Sequence, residues 1–503
     1  MKNAVLAIVV FASPALAATP CENLALLKLP DTTITTAQTV AAGSFVPPTN
    51  PGARGGAGGP AAVFKDVPAF CRVAATLKPS SDSDIKIEVW MPAAGWNGKF
   101  EAVGNGGWSG AVGLGALATA VQRGYAGAST DTGHEGGSGS FVLGHPEKLI
   151  DFGYRSVHDM TVKAKAIIAA YYGDAPKLSY WNGCSSGGKQ GLKEAQKFPK
   201  DFDGIIAGAP ANYWTHLVSH SVWVAQAVHK EEASSIPQSK YKLIHDAAVA
   251  ACDAQDAVKD GVLENPAQCK FDPAVLQCKA GDDAACLTSA QVEAARAIYA
   301  PATNPRTKQV VFPGLMPGSE MGWSGLAGQQ PLSIATDHFK YVVFKDPNWD
   351  YKKLNFDSDI ALADKTDNGL INAIDSNLKP FFQHGGKILQ YHGWNDQLIS
   401  PLNSINYYKS VENATGTGKV KDNYRLFMVP GMNHCAGGDG PSNFDALSAL
   451  EQWVEKGKAP ERIIASHMTA GKADRTRPPC PFPQVATYNG SGSTDDAANF
   501  TCK

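Results

Sequence analysis

No run of lysines and arginines long enough to grip a phosphate backbone occurs in the 503 residues, and the formal net charge is only -2 at pH 7. That excludes the electrostatic footprint of a nucleic-acid binder. Beyond residue 12 no stretch approaches the roughly 20 uninterrupted apolar residues of a bilayer-spanning helix, so no membrane partner is expected. No CxxC pair is present, which removes the commonest zinc-ligating pattern, and no loop has the spacing of an EF-hand. These absences leave a small, near-neutral molecule as the expected partner.

The chain opens Met1-Lys2-Asn3, continues through an apolar run from Ala4 to Ala12 and reaches Ala15-Leu16-Ala17, the small-residue pattern of signal cleavage. Residues 1–17 therefore read as a signal peptide and the mature chain as soluble, secreted or periplasmic. Ten cysteines follow, at 21, 71, 184, 252, 269, 278, 286, 435, 480 and 502. An even set behind an export signal suggests five disulfides. Short loops suit Cys252 with Cys269, Cys278 with Cys286 and Cys480 with Cys502, which leaves Cys21, Cys71, Cys184 and Cys435 for two longer bridges.

Residues 40–62, rich in Gly, Pro and Ala, read as an exposed loop. Ile85, Ile87, Val89 and Met91 alternate with their neighbours as in a half-buried strand, and 100–103 predicts the next. Helical spacing over 156–172, a strand over 178–181 and a helix over 188–196 then alternate. Further buried strands are expected at 205–207, 388–391 and 426–429, and a last helix at 446–456. That rhythm argues for an α/β fold with parallel strands, whose sites lie at the strand ends. Between 212 and 379 the rhythm gives way to irregular sequence too long for plain loops. The expected architecture is an α/β-hydrolase fold built from 18–211 and 380–503, with 212–379 inserted as a lid domain.

Gly183-Cys184-Ser185-Ser186-Gly187 satisfies G-x-S-x-G at a predicted strand-to-helix junction, the setting of a nucleophile elbow. A hydroxyl is a poor nucleophile until a base takes its proton, so Ser185 needs a histidine that is itself oriented by a carboxylate. Asp396 follows one predicted strand and His434 the next; Asp445 is the reserve acid. Cys184 precedes the nucleophile and Cys435 follows the base, so a bond between them would clamp the two catalytic loops together. The oxyanion hole is expected from the N–H of Ser186 and from Gly106 and Gly107, in the glycine loop after strand 100–103. Within the insertion Asp253, Asp256, Asp260 and Glu264 form an oxygen-rich loop of the kind that suits structural Ca²⁺.

Cys184-Ser185, Asp396 and His434-Cys435 together resemble the tannase and feruloyl esterase family, which also contains the mono(2-hydroxyethyl) terephthalate hydrolases, over nearly the whole mature chain. The resemblance implies a Cys184–Cys435 disulfide, the pairing Cys21–Cys71 beside the three short-loop pairs, and calcium held by Asp253, Asp256 and Asp260 with the backbone carbonyls of Val258 and Val262. It also implies that His392 lines the pocket. The family's terephthalate cleavers share a lid arginine that has no clear counterpart here; Lys340 lies near the expected region. Ile399 stands where an aromatic pocket residue is expected. The reaction expected is therefore hydrolysis of small aromatic, hydroxycinnamic esters, polysaccharide-linked ones among them, through an acyl-enzyme on Ser185. Gallate and terephthalate monoesters are the alternatives within the family, a peptidase is a further option, and a non-catalytic wall-polymer-binding protein is the alternative of another class.

Overall fold

Strand-forming segments too short to stand alone are bound into one mixed sheet of nine strands in the computed structural model, which describes residues 19–48 and 61–503. The expected signal peptide and most of the Gly/Pro-rich loop lie outside those residues. In chain order the strands are β1 (Thr32–Val40), β2 (Phe70–Leu77), β3 (Ile85–Pro92), β4 (Lys99–Val103), β5 (Ala126–Thr130), β6 (Leu178–Cys184) and β7 (Gly204–Gly208). A short hairpin, β8 (Ala302–Thr303) and β9 (Val310–Phe312), belongs to the insertion, and β10 (Lys387–Gly393) and β11 (Tyr424–Val429) complete the sheet.

The spatial order is β1-β2-β3-β5-β4-β6-β7-β10-β11. The first four neighbours pair antiparallel, and from β5 onward every pairing is parallel. The parallel strands are apolar on both faces, as sheets covered by helices on each side require: Ile205, Ile206, Leu389, Leu426 and Phe427 are all at most 1% exposed. The helices Ser156–Tyr172 and Ala446–Lys456 begin and end where their spacing predicts. This is the α/β arrangement expected, with β7 and β10 adjacent although the whole insertion separates them in sequence.

The insertion is more regular than its sequence suggests. It contains the helices Trp214–Val228, Tyr241–Cys252 and Ser289–Tyr299. The first is buried on nearly every face, and one apolar cluster joins its Trp214, Leu217 and Val218 to Phe339 and Phe356 of the insertion and to Trp108, Phe152 and Ile399 outside it. Burying a large apolar side chain stabilises by roughly 1.5–3 kcal/mol, so the insertion is fastened over the C-terminal strand ends through Trp108 and Ile399.

All five disulfides form in the expected pairs: Cys21–Cys71, Cys184–Cys435, Cys252–Cys269, Cys278–Cys286 and Cys480–Cys502.

Candidate active site

Ser185 sits between the end of β6 and the helix Ser186–Lys197 with φ 62° and ψ −121°. A non-glycine residue in that region carries strain of order 1–3 kcal/mol, tolerated only where the surroundings hold it. Here they do: Ser185 N–H donates to the Gly208 carbonyl at 2.9 Å, and its carbonyl accepts from Lys189 N–H at 3.0 Å and Ala211 N–H at 3.1 Å. Space forces glycine at 183 and leaves little room for a side chain at 187. A Cβ on Gly183 would lie 2.6 Å from the Gly187 backbone, and one on Gly187 would lie 3.1 Å from Cα of Gly104.

Asp396 lies in the turn after β10, fully buried. Its Oδ2 accepts from Nδ1 of His434 at 2.7 Å and from Nε2 of His392 at 3.0 Å, while Oδ1 accepts the N–H groups of Leu398 at 2.8 Å and Ile399 at 2.9 Å. Burial alone would raise this carboxyl, but the charge of His434 and the hydrogen bonds from both imidazoles outweigh it and hold Asp396 well below the usual carboxylate range. The reciprocal holds for His434: burial would depress it, and the Asp396 charge and hydrogen bond raise it above the ordinary histidine value. Because Nδ1 of His434 donates to Asp396, its Nε2 is left as the basic nitrogen.

The Cys184–Cys435 bridge joins the neighbours of Ser185 and His434, with Cα atoms 5.9 Å apart across 251 residues of sequence. Among the described residues neither the Ser185 hydroxyl nor Nε2 of His434 is hydrogen-bonded to another protein group. The same is true of the N–H groups of Gly106, Gly107 and Ser186. The glycine loop is seated against the nucleophile helix by a reciprocal pair: Gln190 Oε1 accepts from Asn105 N–H at 3.0 Å, and Gln190 Nε2 donates to Asn105 Oδ1 at 3.1 Å. Gly107 takes φ +52°, and a Cβ there would strike Ile334 of the insertion at 2.8 Å.

Two expectations change. His392 is fully buried and does not line the pocket. Its Nδ1 accepts from the Ser404 hydroxyl at 2.7 Å and its Nε2 faces Asp396 and the Ile399 carbonyl, so it stands behind the acid and fixes it. The family resemblance implies a pocket residue here, and tertiary packing turns this ring inward. Asp445, the reserve acid, caps the helix Ala446–Lys456 through Ser448 N–H at 3.0 Å and pairs with Arg123 at 3.1 Å. Sequence reasoning missed Asn105, Gln190 and Ser404, which carry no motif.

In the acidic loop of the insertion, Asp256 accepts from Val258 N–H at 2.9 Å, Asp260 from Val262 N–H at 3.1 Å and Asp253 from Gly261 N–H at 3.2 Å. Burial, and then the facing charges of Asp260 and Asp253, push Asp256 up against the pull of Val258 N–H and Arg477. Carboxylate and carbonyl oxygens are the donors a hard dication takes, so the donor types of this loop suit Ca²⁺. The three carboxylates do not converge to within 4.8 Å of one another among the described residues. Asp260 is instead bonded to Arg477, and Arg477 also reaches Glu264 at 3.5 Å.

The family model for tannase and feruloyl esterase matches residues 71–503. An uncharacterized esterase of Xanthomonas campestris is 37% identical, covering 97% of this chain and 91% of its own length. A probable feruloyl esterase B-2 of Neosartorya fischeri is 35% identical over 86% of each chain. The crystal structure of feruloyl esterase B from Aspergillus oryzae superposes with a TM-score of 0.89 at 31% identity, covering 96% of this chain and 99% of that one. Tannin acyl hydrolase from Aspergillus niger shares the fold, with a TM-score of 0.78 at 22% identity over 97% and 93% of the two chains. A serine on a strained strand-to-helix turn, stapled to a histidine–aspartate pair, within a chain so matched, places the protein in the tannase and feruloyl esterase family, as a carboxylic ester hydrolase.

Proposed function

We propose that this esterase is secreted and hydrolyses esters of small hydroxycinnamic acids through an acyl-enzyme on Ser185. The observation that carries the reading is the buried Asp396 carboxylate, which receives Nδ1 of His434 at 2.7 Å while a disulfide ties His434's neighbour to that of Ser185. His434 Nε2 takes the Ser185 proton as Oγ attacks the ester carbonyl. Charge developing on the carbonyl oxygen meets the N–H of Ser186 and of the Gly106–Gly107 loop, positioned beforehand and therefore stabilising the transition state without reorganisation. His434 returns the proton to the leaving alcohol, and water repeats the sequence to free the acid. Throughout, Asp396 stays ionised and holds the imidazolium, with His392 and two backbone N–H groups holding Asp396.

Hydroxycinnamate esters are favoured because relatives 34–35% identical over most of the chain are named probable feruloyl esterases. Gallate esters are the second reading, on the family's range. Bound at Asp253, Asp256 and Asp260 with the carbonyls of Val258 and Val262, Ca²⁺ would supply charge neutralisation to the insertion and take no part in the reaction itself. Parallel assays of methyl ferulate, chlorogenate, methyl gallate and the terephthalate monoester on wild type and Ser185→Ala test the proposal. Methyl ferulate or chlorogenate is expected to give the highest kcat/KM, and Ser185→Ala to lose roughly 10⁴-fold or more in kcat while staying folded. A substrate ranking led by gallate would shift the assignment, and unchanged turnover in the variant would end the mechanism.

A further inference from the structure

Glu194, near the far end of the helix whose first residue is Ser186, is a buried acidic side chain outside the catalytic site. It is 1% exposed and neither carboxylate oxygen has a hydrogen-bond partner among the described residues. A carboxylate so placed is costly unless a cation or a proton completes it. Its donor atom lies within 4.8 Å of donors from His158 and Asp201, the one such set of three ligating side chains among the described residues.

Three separate segments deliver these groups: His158 from the helix Ser156–Tyr172, Glu194 from the nucleophile helix, and Asp201 from the turn that leads into β7. The His158 ring is fixed by stacking on Phe198, centroids 3.8 Å apart and 9° from parallel, with Nδ1 2.6 Å from Asp201 Oδ2. His158 and Asp201 keep 30% and 15% of their side chains exposed, which leaves a route from solvent. Lys165 Nζ donates to the Asp201 main-chain carbonyl and not to its carboxylate. One imidazole with two carboxylates is a mixed nitrogen and oxygen set, suited to Zn²⁺ and neighbouring first-row ions with water completing the tetrahedron, whereas Ca²⁺ prefers oxygens alone.

We propose that His158, Glu194 and Asp201 form a binding site for a divalent transition-metal ion of the Zn²⁺ class, which pins the distal end of the nucleophile helix to the helix Ser156–Tyr172. The site is independent of the catalytic reading, since none of its residues touches the reacting atoms. The competing arrangement is a proton shared between Glu194 and Asp201, with no ion bound.

The test uses the full mature protein, stripped with a chelator, returned to excess Ca²⁺ and titrated with Zn²⁺ in a calorimeter beside Glu194→Gln and His158→Asn. Wild type is expected to take up one zinc equivalent that both variants bind at least about 100-fold more weakly, with a zinc-dependent rise in thermal midpoint confined to wild type. Identical uptake in all three proteins, or none in wild type, overturns the proposal. A second readout needs no variant: wild type loaded with Co²⁺ should show the ligand-field absorption of a tetrahedral site, and its absence also overturns the assignment.

Discussion

Replacing Cys184 and Cys435 together by alanine removes the staple without leaving a stray thiol, and two effects should separate. The first is on stability. A bridge spanning 251 residues restricts the unfolded chain more than any shorter one, and the chain-entropy relation gives up to about 5 kcal/mol for a loop of that length. The second is on catalysis. Ser185 is held independently by three backbone hydrogen bonds and His434 by Asp396, so each residue keeps its own loop conformation when the bridge is cut. What is lost is the fixed distance between the two loops. A displacement of about 1 Å between reacting groups costs on the order of 100-fold in rate. Urea unfolding followed by fluorescence should therefore show a clearly lower midpoint, while kcat for methyl ferulate, measured well below that midpoint, falls about 100-fold with little change in KM. A folded double variant whose kcat stays within twofold of wild type would refute the argument that the bridge sets the Ser–His geometry.

The acid limb of kcat/KM reports His434, which must be neutral to act as base; because Asp396 raises it, the limb's midpoint should lie above the ordinary histidine value of 6.5. A midpoint at or below that value in a pH–rate profile counts against the pair. The same shifts act on stability in opposite directions. The His434 contribution is complete below its unfolded pKa and lost as pH rises through the raised folded one, whereas that of Asp396 is complete above 3.8 and lost as pH falls through its lowered folded pKa. His392→Leu removes one hydrogen bond to a buried carboxylate, worth roughly 1.5–3 kcal/mol, so kcat should fall about 10- to 100-fold. The acid limb should move to higher pH in that variant, because Asp396 then acts on His434 alone; an unmoved limb would assign His392 a packing role only. Chelation is expected to lower the thermal midpoint and restored Ca²⁺ to recover it, by an amount equivalent to about 2.7 kcal/mol when free calcium is 100 times Kd. A midpoint indifferent to Ca²⁺ in differential scanning fluorimetry would remove the ion from the insertion.

The strand ends carrying Ser185, Asp396 and His434 are legible because each follows a short, mostly apolar segment that runs into a turn. Other elements hid for physical reasons. β5 is Ala-Gly-Ala-Ser-Thr, fully buried yet without one large apolar side chain, since the helix Leu114–Gln122 presses against Gly127 through Leu117 and Ala120. β1 is rich in threonine and lies at the sheet edge, so no apolar face marks it. The helix Trp214–Val228 carries Ser219, His220 and Ser221 at buried positions, and a helix enclosed on every side has no polar stripe from which to read a period. The nucleophile helix starts two residues before its expected beginning, because Ser186-Gly187 looks like turn sequence until the elbow places it. His392 shows the limit most plainly: the family resemblance places it in the pocket, and the Ser404 hydroxyl and the Ile399 carbonyl, distant or silent in the sequence, determine which way the ring faces.

The pairing of β7 with β10 also constrains how the chain is made. Cys184 leaves the ribosome long before Cys435, and in the interval Cys252, Cys269, Cys278 and Cys286 emerge in turn. Four of the six parallel strands must wait for β10 and β11 while an unpaired sulfur waits for its own. Thiol exchange takes seconds to hours, depending on the catalyst present. Active enzyme is therefore expected to accumulate only where thiol exchange is available, and a preparation with every cysteine oxidised in the wrong pairs would match the correct mass and still lack activity.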